Sequence, residues 1–294
     1  LVTRVIAIDL KKSSWGELFA SFKELRKERY DVVFDLQGNT KTALVTLWAR
    51  AKDKVGFGFK TAPERINIIA TTHQYNPPKG QNIRDDYLFL ATSYYKDTAP
   101  LSEAVNFPLS QAEKVIFDEM MSKVHRPLWL ICPHTAWPNK QLSQVTLHGF
   151  LEKITARYHP TFMFLSGNDT EKTISESLVS QFHSAHLLHK PSFSLLQQIM
   201  RQAQLVISMD SFPLHLAATT NTPTYSIFGP SSSRKYAPQG SDHRAFQGSC
   251  PYGVKDFEKR CPKLRTCPTG ACMKELSADD IFNHFAAATI ASTI

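Results

Sequence analysis

From Leu128 onward the chain repeats one pattern: a short apolar run, then a longer segment whose apolar residues return every three or four positions. LWLIC leads into LHGFLEKITARY, TFMFLS into TEKTISESLVSQF, AHLLH into SFSLLQQIMRQA and LVISM into FPLHLAATT, and PTYSIF closes the series. An unbroken apolar run suits a strand covered on both faces, whereas the three-to-four spacing suits a helix with one buried stripe. Strands separated by helices must cross over between neighbours, so they lie parallel. The first half carries the same rhythm. VTRVIAID, DVVFDL and VGFGF read as strands, and WGELFASFKELRKE and TKTALVTLWARA read as helices. Residues 61–80 have poor periodicity and a Pro-Pro pair and read as loop, and residues 82–95 return to helix. NFPLSQAEKVIFDEMMSKVHRP is a capped helix bracketed by prolines and suits a connection. The expectation is an α/β protein of two Rossmann-like domains. Residues 1–124 make the first, including the linker helix. Residues 125–294 make the second, with a cysteine-containing segment at 250–272 and a final amphipathic helix over 277–294.

In an open parallel sheet, ligands bind beyond the carboxyl ends of the strands. After LWLIC comes PHTAWPNKQLS with Thr135 and Lys140, and after TFMFLS comes GNDTEK with Glu171. After LVISM come Asp210, Ser211 and His215, and after PTYSIF comes GPSSSRK. Pro213 is compatible with the first turn of a helix, and Ser211 is placed to cap it. Each residue alone is an ordinary helix-start or loop residue. Their common edge argues for a site: a lysine and free helix amides for a diphosphate, a carboxylate for ribose hydroxyls. Neither a GxGxxG nor a Walker sequence is present, which argues against a dinucleotide enzyme or a P-loop ATPase.

A formal charge of +8 and a pI near 9.2 favour anionic partners. No aromatic-basic RNA-binding motif or zinc-finger spacing accompanies that charge, so no nucleic acid is expected. No apolar run is long enough to span a bilayer. Leu1 opens directly without a charged leader and apolar signal region, so no export signal is expected, and its place inside a strand-like run implies that the natural beginning lies upstream. Of five cysteines, Cys132 ends an apolar strand and reads as a buried thiol. Cys250, Cys261, Cys267 and Cys272 share one polar segment without tight CxxC pairs. They suit either thiols packing a loop or a closed structural site for zinc or iron.

VISMDSFPLHLAATTNTPTYSIFGP, residues 206–230, resembles the signature region of the lipopolysaccharide heptosyltransferases, glycosyltransferase family 9. YDVVFDLQGNTKTALVTLWARAKDKVGFGFK resembles the family's first-domain strand, helix and Val-Gly-Phe turn, and PHTAWPNKQLS resembles its phosphate-binding lysine loop. The Cys-Met at Cys272 also recurs there. The resemblance implies a GT-B fold, two Rossmann-like domains with parallel sheets facing a central cleft. It also implies an inverting transfer of heptose from ADP-heptose to a lipid A-linked inner-core acceptor at the cytoplasmic face of the inner membrane, without an essential metal. Carried over by position, Thr135 and Lys140 contact phosphate, Glu171 the nucleoside, and Asp210, Ser211 and His215 the donor diphosphate and sugar. On the acceptor side, Asn39, Lys41 and Lys60 follow first-domain strands and are expected to meet anionic inner-core sugars or lipid phosphates. Two departures stand out. Phe212 occupies a position where the family usually has Gly, and the Gly-Asp turn that carries the family's proposed base has no counterpart in residues 1–294, so the catalytic base is left unassigned. These departures keep open a non-catalytic nucleotide-sugar-binding member of the family. The charge and cysteines alone would also fit a metal-stabilised nucleic-acid-binding protein, which leaves the Asp210 to His215 group unexplained.

Overall fold

The computed structural model describes residues 3–10, 13–97, 105–253 and 257–287. The chain divides into two compact units, Leu1–Leu101 and Ser102–Ile294. The first unit runs α1 (Trp15–Leu25), β1 (Tyr30–Asp35), α2 (Thr40–Trp48), β2 (Ala51–Phe57), β3 (His73–Tyr75) and α3 (Ile83–Tyr95), with a 3₁₀ turn at Arg65–Ala70. Its strands pair in parallel in the order β1-β2-β3. The helices begin where capping side chains absorb their free amides. Ser14 with Glu17 starts α1 and Asn39 with Thr42 starts α2. The core is small: Val55, Phe57 and Leu90, with Val32, Phe34 and Tyr94 packed around them.

Three expectations change here. Residues 3–9 of VTRVIAID form no strand. Val5 is 83% exposed, and among the described residues no strand pairs with this stretch. The segment read as loop contains both the 3₁₀ turn and β3, a strand too short to leave a periodic signal. The unit boundary falls between residues 101 and 102 rather than at 124/125. The helix between the prolines, α4 (Gln111–Ser122), puts Phe117, Met120 and Met121 against the core of the second unit. Glu113 closes its own cap with Ser110 and accepts a hydrogen bond from Ser192, which ties α4 to that unit.

The second unit continues through β4 (Leu128–Cys132), α5 (Gln144–Tyr158), β5 (Thr161–Ser166), α6 (Asp169–Val179), β6 (Ala185–His189), α7 (Phe193–Gln202), β7 (Leu205–Met209), α8 (Phe212–Ala217), β8 (Thr224–Phe228), α9 (Ser233–Tyr236), β9 (His243–Gln247), α10 (Ala271–Lys274) and α11 (Ala278–Ala287). Its six strands are all parallel in the order β6-β5-β4-β7-β8-β9. Every residue of β4, β5, β7 and β8 is buried, because apolar layers cover both faces. Phe150, Phe162, Tyr225 and Phe285 belong to one layer, and Leu130, Met163, Ile199 and Met200 to the other. The chain moves outward from β4 to β6, then returns to β7 on β4's other side. That reversal opens a crevice between the β4 and β7 ends, where the loops diverge to opposite faces. The final helix is described as far as Ala287, and the rest of the expected span lies outside the described residues.

Candidate donor site at the switch point

A cavity of about 620 Å³ sits at this point, and Thr135, Lys140, Glu171, Asp210, Ser211 and His215 all line it. Lys140 ends a single 3₁₀ turn, Pro138–Lys140, that Pro138 starts. Its Nζ lies 2.5 Å from Asp210 Oδ2, and both residues are buried, at 9% and 8% exposure. Ser231 Oγ donates to the same carboxylate oxygen, and His215 Nε2 stands 3.8 Å from Oδ1, an ion-pair distance rather than a hydrogen bond. Burial pushes the Asp210 carboxyl up, but His215, Lys140 and Ser231 outweigh it and hold the group far below the usual carboxylate range. The carboxylate is therefore ionised at any physiological pH. It fixes one face of the Lys140 ammonium, which has three donors and so keeps capacity for another anion.

Glu171 lies on α6, whose N-cap is Asn168. Its carboxylate accepts from the Gly167 N–H at 2.7 Å and from Asn168 Nδ2 at 2.7 Å, while Asn168 Oδ1 accepts from the Glu171 N–H at 2.9 Å. The side chain is held rigidly at the cavity wall with lone pairs to spare. Thr135 Oγ donates to the Trp137 carbonyl at 2.7 Å, which shapes the loop ahead of Lys140. Ser211 occupies the N-cap position of α8, but its side chain makes no cap bond, contrary to the expectation. Its Oγ contacts the Met209 carbonyl at 3.3 Å and Ser208 Oγ at 3.4 Å instead. His215 is a little under half exposed on α8.

Several lining residues escape the sequence reading. His134 is buried, with Nε2 2.9 Å from Ser175 Oγ, and burial lowers its pKa against the opposing pull of Glu171. Lys190 follows β6 on the same edge with φ 45° and bonds Asp169 Oδ1 at 2.9 Å. Phe193 and Phe212 also line the cavity. The strand-end rule that finds Lys140 also reaches Lys190 and Ser231.

The cysteine segment supports this site. Cys250, Cys261, Cys267 and Cys272 are free thiols that line a second cavity of about 280 Å³. The structural zinc or iron site expected there is not formed: among the described residues, no three His, Cys, Asp or Glu side chains gather in a group that could hold a metal ion. Backbone ties hold the segment to the loops of the site. Asn139, beside Lys140, donates from Nδ2 to the carbonyls of Leu264 at 2.9 Å and Cys267 at 3.2 Å. Ser231, the partner of Asp210, forms an antiparallel bridge with Arg260, and the Cys261 N–H donates to the Pro230 carbonyl at 2.7 Å. The Gly270 N–H and the Thr269 hydroxyl lower the Cys267 pKa, whereas burial and the other three thiols push Cys272 up to about 11.

In the first unit, Asn39, Lys41 and Lys60 all lie beyond the carboxyl ends of β1 and β2. Asn39 has a structural task there, since its Oδ1 accepts from the Thr42 N–H at 3.0 Å. Lys41 stands exposed in the first turn of α2, and the Lys60 N–H donates to Asn76 Oδ1 at 3.0 Å. Asp35 is 4% exposed and accepts from the amides of Gln37 and Gly38 and from Asn67 Nδ2 at 2.6 Å. It holds its turn together, with φ +67° at Gly38 completing it.

Residues 18–266 match the sequence model of glycosyltransferase family 9 (heptosyltransferase). The chain is 23% identical over 233 residues to the lipopolysaccharide core heptosyltransferase OpsX of Haemophilus influenzae, covering 78% of this chain and 65% of that protein. The structure of E. coli heptosyltransferase WaaC with ADP matches with a TM-score of 0.67 at 18% identity, covering 93% of this chain and 78% of WaaC. A family 9 glycosyl transferase from Veillonella parvula matches with a TM-score of 0.69 at 14% identity, covering 96% and 81%. The fold is GT-B.

Proposed function

The chain belongs to glycosyltransferase family 9, and we propose that it moves a heptose from ADP-heptose to the inner core of lipopolysaccharide with inversion at the anomeric carbon. The observation that carries this reading is the convergence of all six expected donor residues on one cavity at the switch point of the second sheet. Lys140, anchored by Asp210, offers its remaining N–H donors to the diphosphate. Ser211 and the exposed His215 stand beside it for the diphosphate and the sugar, Thr135 shapes the phosphate loop, and the fixed Glu171 carboxylate accepts from ribose hydroxyls.

In the transfer, the acceptor oxygen bonds to the anomeric carbon as the bond to the diphosphate breaks. The acceptor proton passes to a base, and ADP leaves with the electron pair. Cations already in place lower the cost of that developing charge without reorganising. The scheme assigns no base. Asp35, the strand-end carboxylate of the first unit, is committed to its own turn and to Asn67, and it is not given that role. Asn39, Lys41 and Lys60 are the proposed acceptor contacts. The setting we propose is the cytoplasmic face of the inner membrane, reached peripherally. No helix among the described residues is long and apolar enough to cross a membrane.

The test is ADP release and product formation from ADP-heptose and a lipid A-linked inner-core acceptor. Transfer that depends on Lys140 supports the proposal. Tight ADP-heptose binding with no transfer to any inner-core acceptor would replace it with a non-catalytic nucleotide-sugar-binding role.

A further inference from the structure

Phe193 opens α7 and Phe212 opens α8, so two helix starts bring two rings to one cavity wall. The ring centroids are 4.9 Å apart and the planes are inclined by 44°. The rings cover each other only in part, since Phe193 remains 64% exposed and Phe212 51%. Leu165, Pro191 and Leu196 add further apolar residues to the lining of the same cavity. The lining thus combines charged and polar groups, Lys140, Asp210, Ser211 and His215, with the exposed apolar area of two phenyl rings. Adjacent exposed aromatic side chains inside a concave site leave apolar area that a ligand can cover.

We propose that the Phe193–Phe212 pair is a stacking shelf for the donor's nucleobase, and that Phe212 is a specificity-determining residue of this chain. The proposal rests on reading the cavity as a nucleoside-diphosphate-sugar site. A diphosphate at Lys140 leaves a nucleoside to be placed, and Glu171, the proposed ribose contact, lines the same cavity as the two rings. A flat base laid on a phenyl face excludes water from both surfaces, and a purine covers more of the shelf than a pyrimidine. By turning onto Phe193, Phe212 replaces the close backbone approach that a glycine would allow with an aromatic surface.

Calorimetry with ADP, UDP and inorganic pyrophosphate tests the shelf on the wild type and on Phe193→Ala, Phe212→Ala and Phe212→Tyr. Both rings are exposed, so urea midpoints of the alanine variants should match the wild type. Stacking on aromatic side chains predicts that each alanine variant loses roughly 5- to 100-fold in ADP affinity. Pyrophosphate affinity should stay unchanged, Phe212→Tyr should retain ADP binding, and wild-type preference for ADP over UDP should narrow in the alanine variants. Unchanged or improved ADP affinity in those variants would overturn the shelf, as would an equal loss for pyrophosphate. Wild-type protein that binds pyrophosphate as tightly as ADP would remove the shelf and leave the diphosphate site standing. Protein that binds neither would remove both.

Discussion

Lys140 and Asp210 share a hydrogen bond and are both more than nine-tenths buried, and this decides how substitutions there behave. Lys140→Ala strands a buried carboxylate, so it should cost about 3–5 kcal/mol of stability besides weakening ADP binding. The pair Lys140→Met with Asp210→Leu removes both charges and should recover most of that stability while ADP binding stays lost, as denaturation and calorimetry on the same samples will read. A double variant as unstable as the single one would mean that the pair itself, rather than the stranded charge, sets the cost. The acid response follows from the same carboxylate. Its folded pKa lies below the unfolded value, so the unfolded chain binds the proton more readily. The stability it contributes is complete at neutral pH and drains as pH falls below about 4 toward the folded pKa. Asp210→Asn should flatten the acid limb of the stability curve. Superimposable limbs would assign acid sensitivity to other carboxylates.

At the level of elements, two glycines make opposite predictions. A Cβ on Gly16, in the first turn of α1, meets nothing within 4 Å, so Gly16→Ala should stabilise the first unit by about 0.5–1 kcal/mol. A Cβ on Gly248, just after β9, would stand 2.2 Å from the Cys272 carbonyl oxygen, which is backbone and cannot swing away. Gly248→Ala should destabilise the second unit by about 1–3 kcal/mol in urea titration. LWLIC, TFMFLS, AHLLH and LVISM are strands to the residue because polar or Pro-containing segments end each apolar run. HRAFQ escapes because an edge strand is only partly buried and keeps polar residues on both faces. VTRVIAID misleads for the converse reason: alternation describes a face, and a strand also needs a partner. The grouping of the six cavity residues was legible because parallel topology alone puts all strand-end loops on one edge. The Phe193–Phe212 contact was not, since it depends on how α7 approaches α8 and on two rotamers.

Across the whole molecule, the two units differ in how much of their sheet is sealed. Among the described residues, the second has six strands with fully buried central members, and the first has three strands around a small core. Amide exchange should therefore be slowest in β4, β5 and β7, and the amides of β1 to β3 should open at lower free energy. Equal protection in both units would show that they unfold together. The charge of +8 predicts a second whole-molecule behaviour: association with ADP-heptose should slow as ionic strength rises from about 0.01 to 0.15 M. Stopped-flow rates that ignore salt would confine the attraction to the cavity. The cysteine segment, tied at Asn139 and at Ser231, also says where the polypeptide tolerates extra length. Tyr252 is 67% exposed and Gly253, at φ +93°, has open space around it. A peptide tag spliced between them enters ahead of the first tie and should leave nucleotide binding intact. The same tag spliced between Arg265 and Thr266 would separate the two carbonyls that grip Asn139, and a reporter placed there would read donor-loop displacement directly.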